Sequence, residues 1–158
     1  MSVTAVHKDP AARTMTITAE FEAPVERVWE MWADPRQLER WWGPPTHPAT
    51  VVDHELRPGG TVSYFVTGPD GTRRSGWWTV RAVGAPRHLE FELHDAEIPT
   101  LTVRVTVEAR AGGGTRMTVL TTFPSDQAMD QLLSIGFEEG MSTALAQLDD
   151  ILREDLAP

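Results

Sequence analysis

The chain has 158 residues, 41% hydrophobic and 23% charged, the balance of an ordinary soluble protein with one core. It contains no cysteine, which excludes disulfides, thiolate metal sites, Fe–S clusters and a cysteine nucleophile. A net charge of −9 repels phosphate backbones and anionic lipid, so neither nucleic acid nor a membrane surface is expected as a partner.

One domain over residues 1–158 is expected, with residues 1–13 as an N-terminal segment free to be flexible. No stretch reaches the roughly 20 apolar residues that span a bilayer. The N-terminus lacks the apolar run of an export signal, so a cytoplasmic protein is the expectation.

Residues 14–21 alternate strictly, with Met15, Ile17, Ala19 and Phe21 on one face, and predict a half-buried strand. Pro24 stands where a helix starts, and Val25, Val28, Trp29 and Trp32 follow at helical spacing. Asp34-Pro35 ends that helix and opens a short second one reaching Trp41, and Gly43-Pro44-Pro45 stops it. Period two then returns. Strands are expected near 50–56, 61–67, 76–83, 88–93, 101–108 and 116–123, joined by Gly- and Pro-rich turns into an antiparallel meander. Ser125 and Asp126 can cap a final helix whose apolar stripe runs to about residue 154. Thirty residues would make it about 45 Å long, against a radius of gyration of about 15 Å for a chain of this length. Such a helix must cross the whole molecule and bury its stripe on the sheet. The predicted class is α+β: a curved antiparallel sheet wrapped around one long C-terminal helix, with two short helices after the first strand.

Several short motifs accompany this pattern. They are Ala23-Pro24 with Val28-Trp29, Trp41-Trp42-Gly43-Pro44, Leu56-Arg57-Pro58-Gly59-Gly60, Asp70-Gly71 and Gly76-Trp77-Trp78. Pro86-Arg87-His88-Leu89, Gly114-Thr115-Arg116-Met117-Thr118 and Gly136-Phe137-Glu138-Glu139-Gly140-Met141 follow. In this order, over about residues 15–152, the chain resembles the family related to the activator of Hsp90 ATPase. That family lies within the START-like superfamily of helix-grip proteins. The resemblance implies an apolar cavity between sheet and long helix. It implies little about activity, because relatives in the superfamily bind lipids, sterols or polyketides and some are aromatase/cyclases.

Strand parity predicts which side chains face such a cavity. Val52, His54 and Leu56 should point inward, because Asp53 and Glu55 would be costly there. Tyr64, Trp78, Phe91 and Thr121 join them. One reading has His54 and Tyr64 holding the polar end of a ligand while Trp78, Phe91 and Phe137 cover its apolar body. The other has the polar tips bonded to backbone, to each other or to buried water in a filled core. Trp29 and Trp32 read as core. Trp42 is the better of two candidates for a lid over the cavity mouth, and a hydrophobic plug is the alternative. Gly136 and Gly140 lie on the helix stripe beside Phe137 and Met141, and each glycine in a helix costs roughly 1 kcal/mol relative to alanine. Close packing against a strand or a short helix is the expected reason, and open volume for a ligand is the other.

None of the histidines shows metal-ligand spacing, and no phosphate loop or Gly-x-Ser-x-Gly elbow is present. No metal, cofactor or catalytic residue is assigned. Residues 125–158 carry eight acidic side chains and one basic, so the acidity is concentrated in the last segment. It reads as a solvated helix face, with docking of a protein partner as the alternative. A homodimer is also allowed. Three functions follow in order. The first is a carrier or sensor of a small hydrophobic molecule. The second is a cyclase or dehydratase with His54 as general acid/base and Tyr64 polarising an oxygen. The third is a co-chaperone-like interaction module using Glu138 and Glu139.

Overall fold

Alternation along β2 (Thr14–Phe21) becomes alternation of burial: Met15, Ile17, Ala19 and Phe21 are sealed, and the threonines between them are half-exposed. Seven further strands complete the sheet in this computed structural model, which describes residues 3–156. The other strands are β1 (Val3–Asp9), β3 (Ala49–His54), β4 (Thr61–Thr67), β5 (Arg73–Gly84), β6 (His88–Asp95), β7 (Ile98–Ala109) and β8 (Thr115–Thr122). They form one antiparallel sheet in the order β1-β2-β8-β7-β6-β5-β4-β3. Helices α1 (Val25–Ala33) and α2 (Pro35–Leu38) follow β2, and α3 (Asp126–Ser134) and α4 (Phe137–Leu156) close the chain. The predicted α+β helix-grip class is what the structure shows. No helix among the described residues is long and apolar enough to cross a membrane.

Local chemistry explains the helix ends. Pro35 occupies the first turn of α2, and the Asp34 side chain accepts from the Arg36 N–H at 2.8 Å. Ser125 caps α3 by accepting from the Ala128 N–H at 3.0 Å. The inner faces of β5–β8 meet Trp32 of α1 and Leu145 and Leu148 of α4 in one core. The α4 backbone approaches β1, β2 and α1 closely.

Three expectations are corrected. Residues 3–9, for which no element was expected, form the edge strand β1, paired with β2. None of its residues is fully buried, so no apolar–polar alternation marks it in the sequence. In β3, Val51 opposes Tyr64 and Asp53 opposes Ser63, which leaves Val52 as an extra residue. Parity therefore flips: Val51 is 2% exposed and Val52, expected inside, is 62% exposed.

The third correction is the final helix, which is two. Gly136 adopts φ +95°, a left-handed conformation, and its N–H bonds the Leu133 carbonyl at 3.3 Å to end α3. α4 then starts anew, with the Gly140 N–H on the Gly136 carbonyl at 2.9 Å. Gly136 is thus a cap and not a helix-interior residue. Neither glycine is there for close packing. At Gly140 an added Cβ would meet nothing within 4 Å, and at Gly136 its nearest neighbour is the tip of Glu139 at 3.8 Å.

These two glycines should respond in opposite directions. Gly136→Ala is expected to lower stability by about 1 kcal/mol, because a Cβ is strained at that φ. Gly140→Ala is expected to raise it by up to about 1 kcal/mol through helix propensity. Urea denaturation of both variants reads the two signs.

Candidate functional site

The middle of the grip is filled by aromatic rings. Trp32 is fully buried and meets Trp41 edge-on at 4.7 Å, Trp78 at 5.9 Å and Phe91 at 6.4 Å. Trp78 and Phe91, from adjacent strands β5 and β6, stack at 4.0 Å. The Trp41 N–H donates to the Met31 carbonyl at 3.0 Å, and the Trp32 N–H to the Met117 sulfur at 3.3 Å. Trp78 Nε1 is buried without a hydrogen-bond partner among the described residues. An extended hollow under the sheet is therefore absent at this point: the cluster occupies it.

Trp42 lies at the border of that cluster. It meets Trp78 edge-on at 4.9 Å on one side and Tyr64 at 5.9 Å on another. Beyond it a slot of about 260 Å³ opens between the first half of α4 and the β4–β6 end of the sheet. Phe137, Gly140, Met141 and Ala144 form its helix wall. Tyr64 and Val66 of β4, Arg74 of β5 and Asp95 of β6 form the sheet wall, and Trp42, Gly43 and Pro44 close one end. Gln147 of α4 holds that loop by donating to the Gly43 carbonyl at 2.7 Å. Gly43 has to be glycine, because a Cβ would fall 2.2 Å from the His47 carbonyl oxygen. A wider groove of about 800 Å³ continues outward from Pro44, Val66 and Arg74 over exposed residues including Trp77.

The polar end of the slot has defined chemistry. Arg74 and Asp95 pair at 3.0 Å, and Arg74 also lies 3.2 Å from Glu97. Burial pushes the Tyr64 phenol up to about 12, and the charge of Asp95 adds to this; hydrogen bonding from Trp42 and the charge of Arg74 pull it back. Tyr64 is thus a neutral hydroxyl at neutral pH, able to donate or accept. Gly76 makes room for it, since a Cβ there would lie 2.6 Å from the phenolic oxygen.

Of the residues named from sequence, Trp42, Tyr64, Phe137, Gly140 and Met141 come together around the slot. Trp78 and Phe91 stand behind Trp42 and do not line it. Gly136 lies outside it at the helix break. His54 also lies elsewhere: its Nε2 donates to the Trp32 carbonyl at 3.0 Å, which closes the end of α1. Arg74 and Asp95 were missed. Parity was the available signal, because Arg74, Gly76 and Trp78 share one face of β5, and Phe91, Leu93 and Asp95 share one face of β6. The expected strands stopped short of both residues.

Comparison with known proteins places this architecture. The family model described as activator of Hsp90 ATPase homolog 1-like protein matches residues 22–153. The crystal structure of protein Ms6760 from Mycobacterium smegmatis is 48% identical, with a TM-score of 0.87 over 97% of this chain and 99% of that one. A solution structure of a protein from Arthrobacter aurescens is 45% identical, with a TM-score of 0.91 over 97% and 93% of the two chains. A crystal structure from Rhodobacter sphaeroides shares the fold at 21% identity and a TM-score of 0.85, covering 96% of this chain and 97% of that one. No curated protein is matched.

Tyr64 is the only tyrosine, so its ionisation can be read by ultraviolet absorbance without overlap. The folded protein should titrate near pH 12 and not near the ordinary 10. The folded state prefers the neutral phenol. Its contribution to stability is therefore complete below about pH 10 and fades as pH rises through 12. Gly76→Ala should displace the ring and return the titration toward 10. A phenol that titrates normally in the parent protein would place Tyr64 in solvent.

Proposed function

The chain belongs to the activator of Hsp90 ATPase homolog 1-like family, and from that premise we propose that it binds a small, largely apolar molecule in the slot beside α4, as a carrier or sensor. One observation carries this reading. Gly140 sits on the slot wall, four residues into α4, with open space where a side chain would be. Glycine there costs helix stability, and no neighbouring atom demands it. What it preserves is the volume between Phe137, Met141 and Trp42. The remaining walls suit an apolar body, with Tyr64, Arg74 and Asp95 gathered at one end.

The volume limits the ligand. An apolar cavity of about 150 Å³ accommodates benzene. At about 260 Å³ the slot suits one ring with a short side chain. A sterol or a folded polyketide would have to extend into the outer groove.

The cyclase or dehydratase reading loses its acid/base candidate, because His54 holds the Trp32 carbonyl and does not line the slot. The interaction reading rests on the acidic helix face, where Glu138 is engaged by Lys8 at 2.7 Å and Asp126 by Arg13 at 3.0 Å. Neither alternative has an observation in its favour to match the open wall at Gly140.

Quenching of tryptophan fluorescence by butylbenzene should be saturable in the parent protein. Phe137→Ala should weaken binding about tenfold, the loss of a little over 1 kcal/mol of ring contact. Gly140→Leu should abolish it while the protein stays folded, because the new side chain grows into the slot. His54→Ala should leave butylbenzene affinity unchanged and cost about 1–3 kcal/mol of stability, by orphaning the Trp32 carbonyl. Undiminished binding by Gly140→Leu would show that the ligand sits elsewhere.

A further inference from the structure

Given the slot as the binding site, we propose that its ligand carries a hydrogen-bond donor at its polar end, an amine in preference to a hydroxyl, and not a carboxylate. Arg74 is the cation that would ordinarily suggest an acid. Its charge is already committed: Nε and Nη2 reach Asp95 Oδ1 at 3.3 and 3.0 Å, and Nε lies 3.2 Å from Glu97 Oε2. One guanidinium thus faces two carboxylates, Asp95 on the slot and Glu97 in the outer groove.

The carboxylate of Asp95 is used on one side only. Oδ1 takes both Arg74 donors and the backbone N–H of Glu97 at 2.9 Å. Oδ2 receives no donor from the described residues. It is not a sealed orphan either, because among the described residues the buried side-chain polar atom without a partner is Trp78 Nε1. Asp95 lines the slot and its side chain is 14% exposed. An entering ammonium or hydroxyl can therefore donate to Oδ2 without disturbing the Arg74 pair. An entering carboxylate could reach only the remaining Arg74 N–H groups, and there it would sit beside two like charges, Asp95 and Glu97. The Tyr64 hydroxyl also lines the slot and, neutral at physiological pH, can accept from a ligand donor or give its own proton to a ligand hydroxyl. The overall charge of −9 also favours the approach of a cation.

A matched set of probes tests this: phenethylamine, phenethyl alcohol, ethylbenzene and hydrocinnamate share one ring and differ at the end group. Titrated into the full chain at neutral pH, phenethylamine should bind about tenfold tighter than hydrocinnamate, the discrimination that one charge contact can supply, with the alcohol between. The preference for the amine should shrink with added salt and disappear in Asp95→Asn, while ethylbenzene affinity holds and reports that the slot of the variant is intact. Hydrocinnamate binding as tightly as phenethylamine, or tighter, would overturn the donor inference and leave the slot standing. Saturable binding of none of the four would overturn the slot as a binding site, and this inference with it.

Discussion

Four rings set the terms for everything else in this molecule. Trp32, Trp41, Trp78 and Phe91 pack edge-on and face-on at 4.0–6.4 Å in the space between sheet and helices. A buried aromatic removes roughly 150–250 Å² from water, an upper bound of about 4–6 kcal/mol each at 25 cal/mol per Å². That is comparable to the whole net stability of a typical domain, about 5–15 kcal/mol. Opening the cluster to solvent at its centre would therefore carry a cost on that scale. Beside the cluster, free volume opens where α4 faces β4–β6, and Trp42 marks the boundary between solid core and slot.

That opening has its own cause. α3 ends at Gly136, so the apolar stripe does not continue as one straight rod. The second half of α4, from Ala144 through Leu152, packs into the core. The first half, with Phe137 and Met141 half-buried and Gly140 bare, becomes a wall. Ion pairs join these helices to the rest of the chain: Lys8 on β1 to Glu138, Arg13 in the following turn to Asp126, and Arg40 after α2 to Glu154 at 3.3 Å. Each such surface pair is worth about 1 kcal/mol or less. Together they give the acidic C-terminal segment basic partners within its own chain.

The sequence carried the architecture well, because alternation and helical spacing are direct projections of burial. β2 and β4 have the bounds their alternation implies, and the stripe of α1 is the buried one. Failures came where a single residue breaks the period. The extra Val52 in β3 and the left-handed Gly136 each interrupt a pattern that is legible only when continuous. The site was half legible for the same reason. Tyr64, Phe137, Gly140 and Met141 follow from parity and stripe, and Trp42 from its place before Gly43-Pro44-Pro45; His54 faces inward opposite Val62 as parity implies, but it meets the Trp32 carbonyl and not the slot. Arg74 and Asp95 lie where hydrophobic alternation gives way to charge. How much of the interior is filled is a property of volumes in three dimensions, and no one-dimensional pattern encodes it.

The division into a solid core and an open slot is most directly measured with xenon, which marks apolar space without requiring any particular polar group. In crystals equilibrated under xenon pressure, an ordered atom should lie beside Gly140, between Phe137 and Trp42. None should lie among Trp32, Trp78 and Phe91. Xenon inside the aromatic cluster, or a slot occupied by the side chains of Phe137 and Met141 with no xenon in it, would contradict this picture of the molecule.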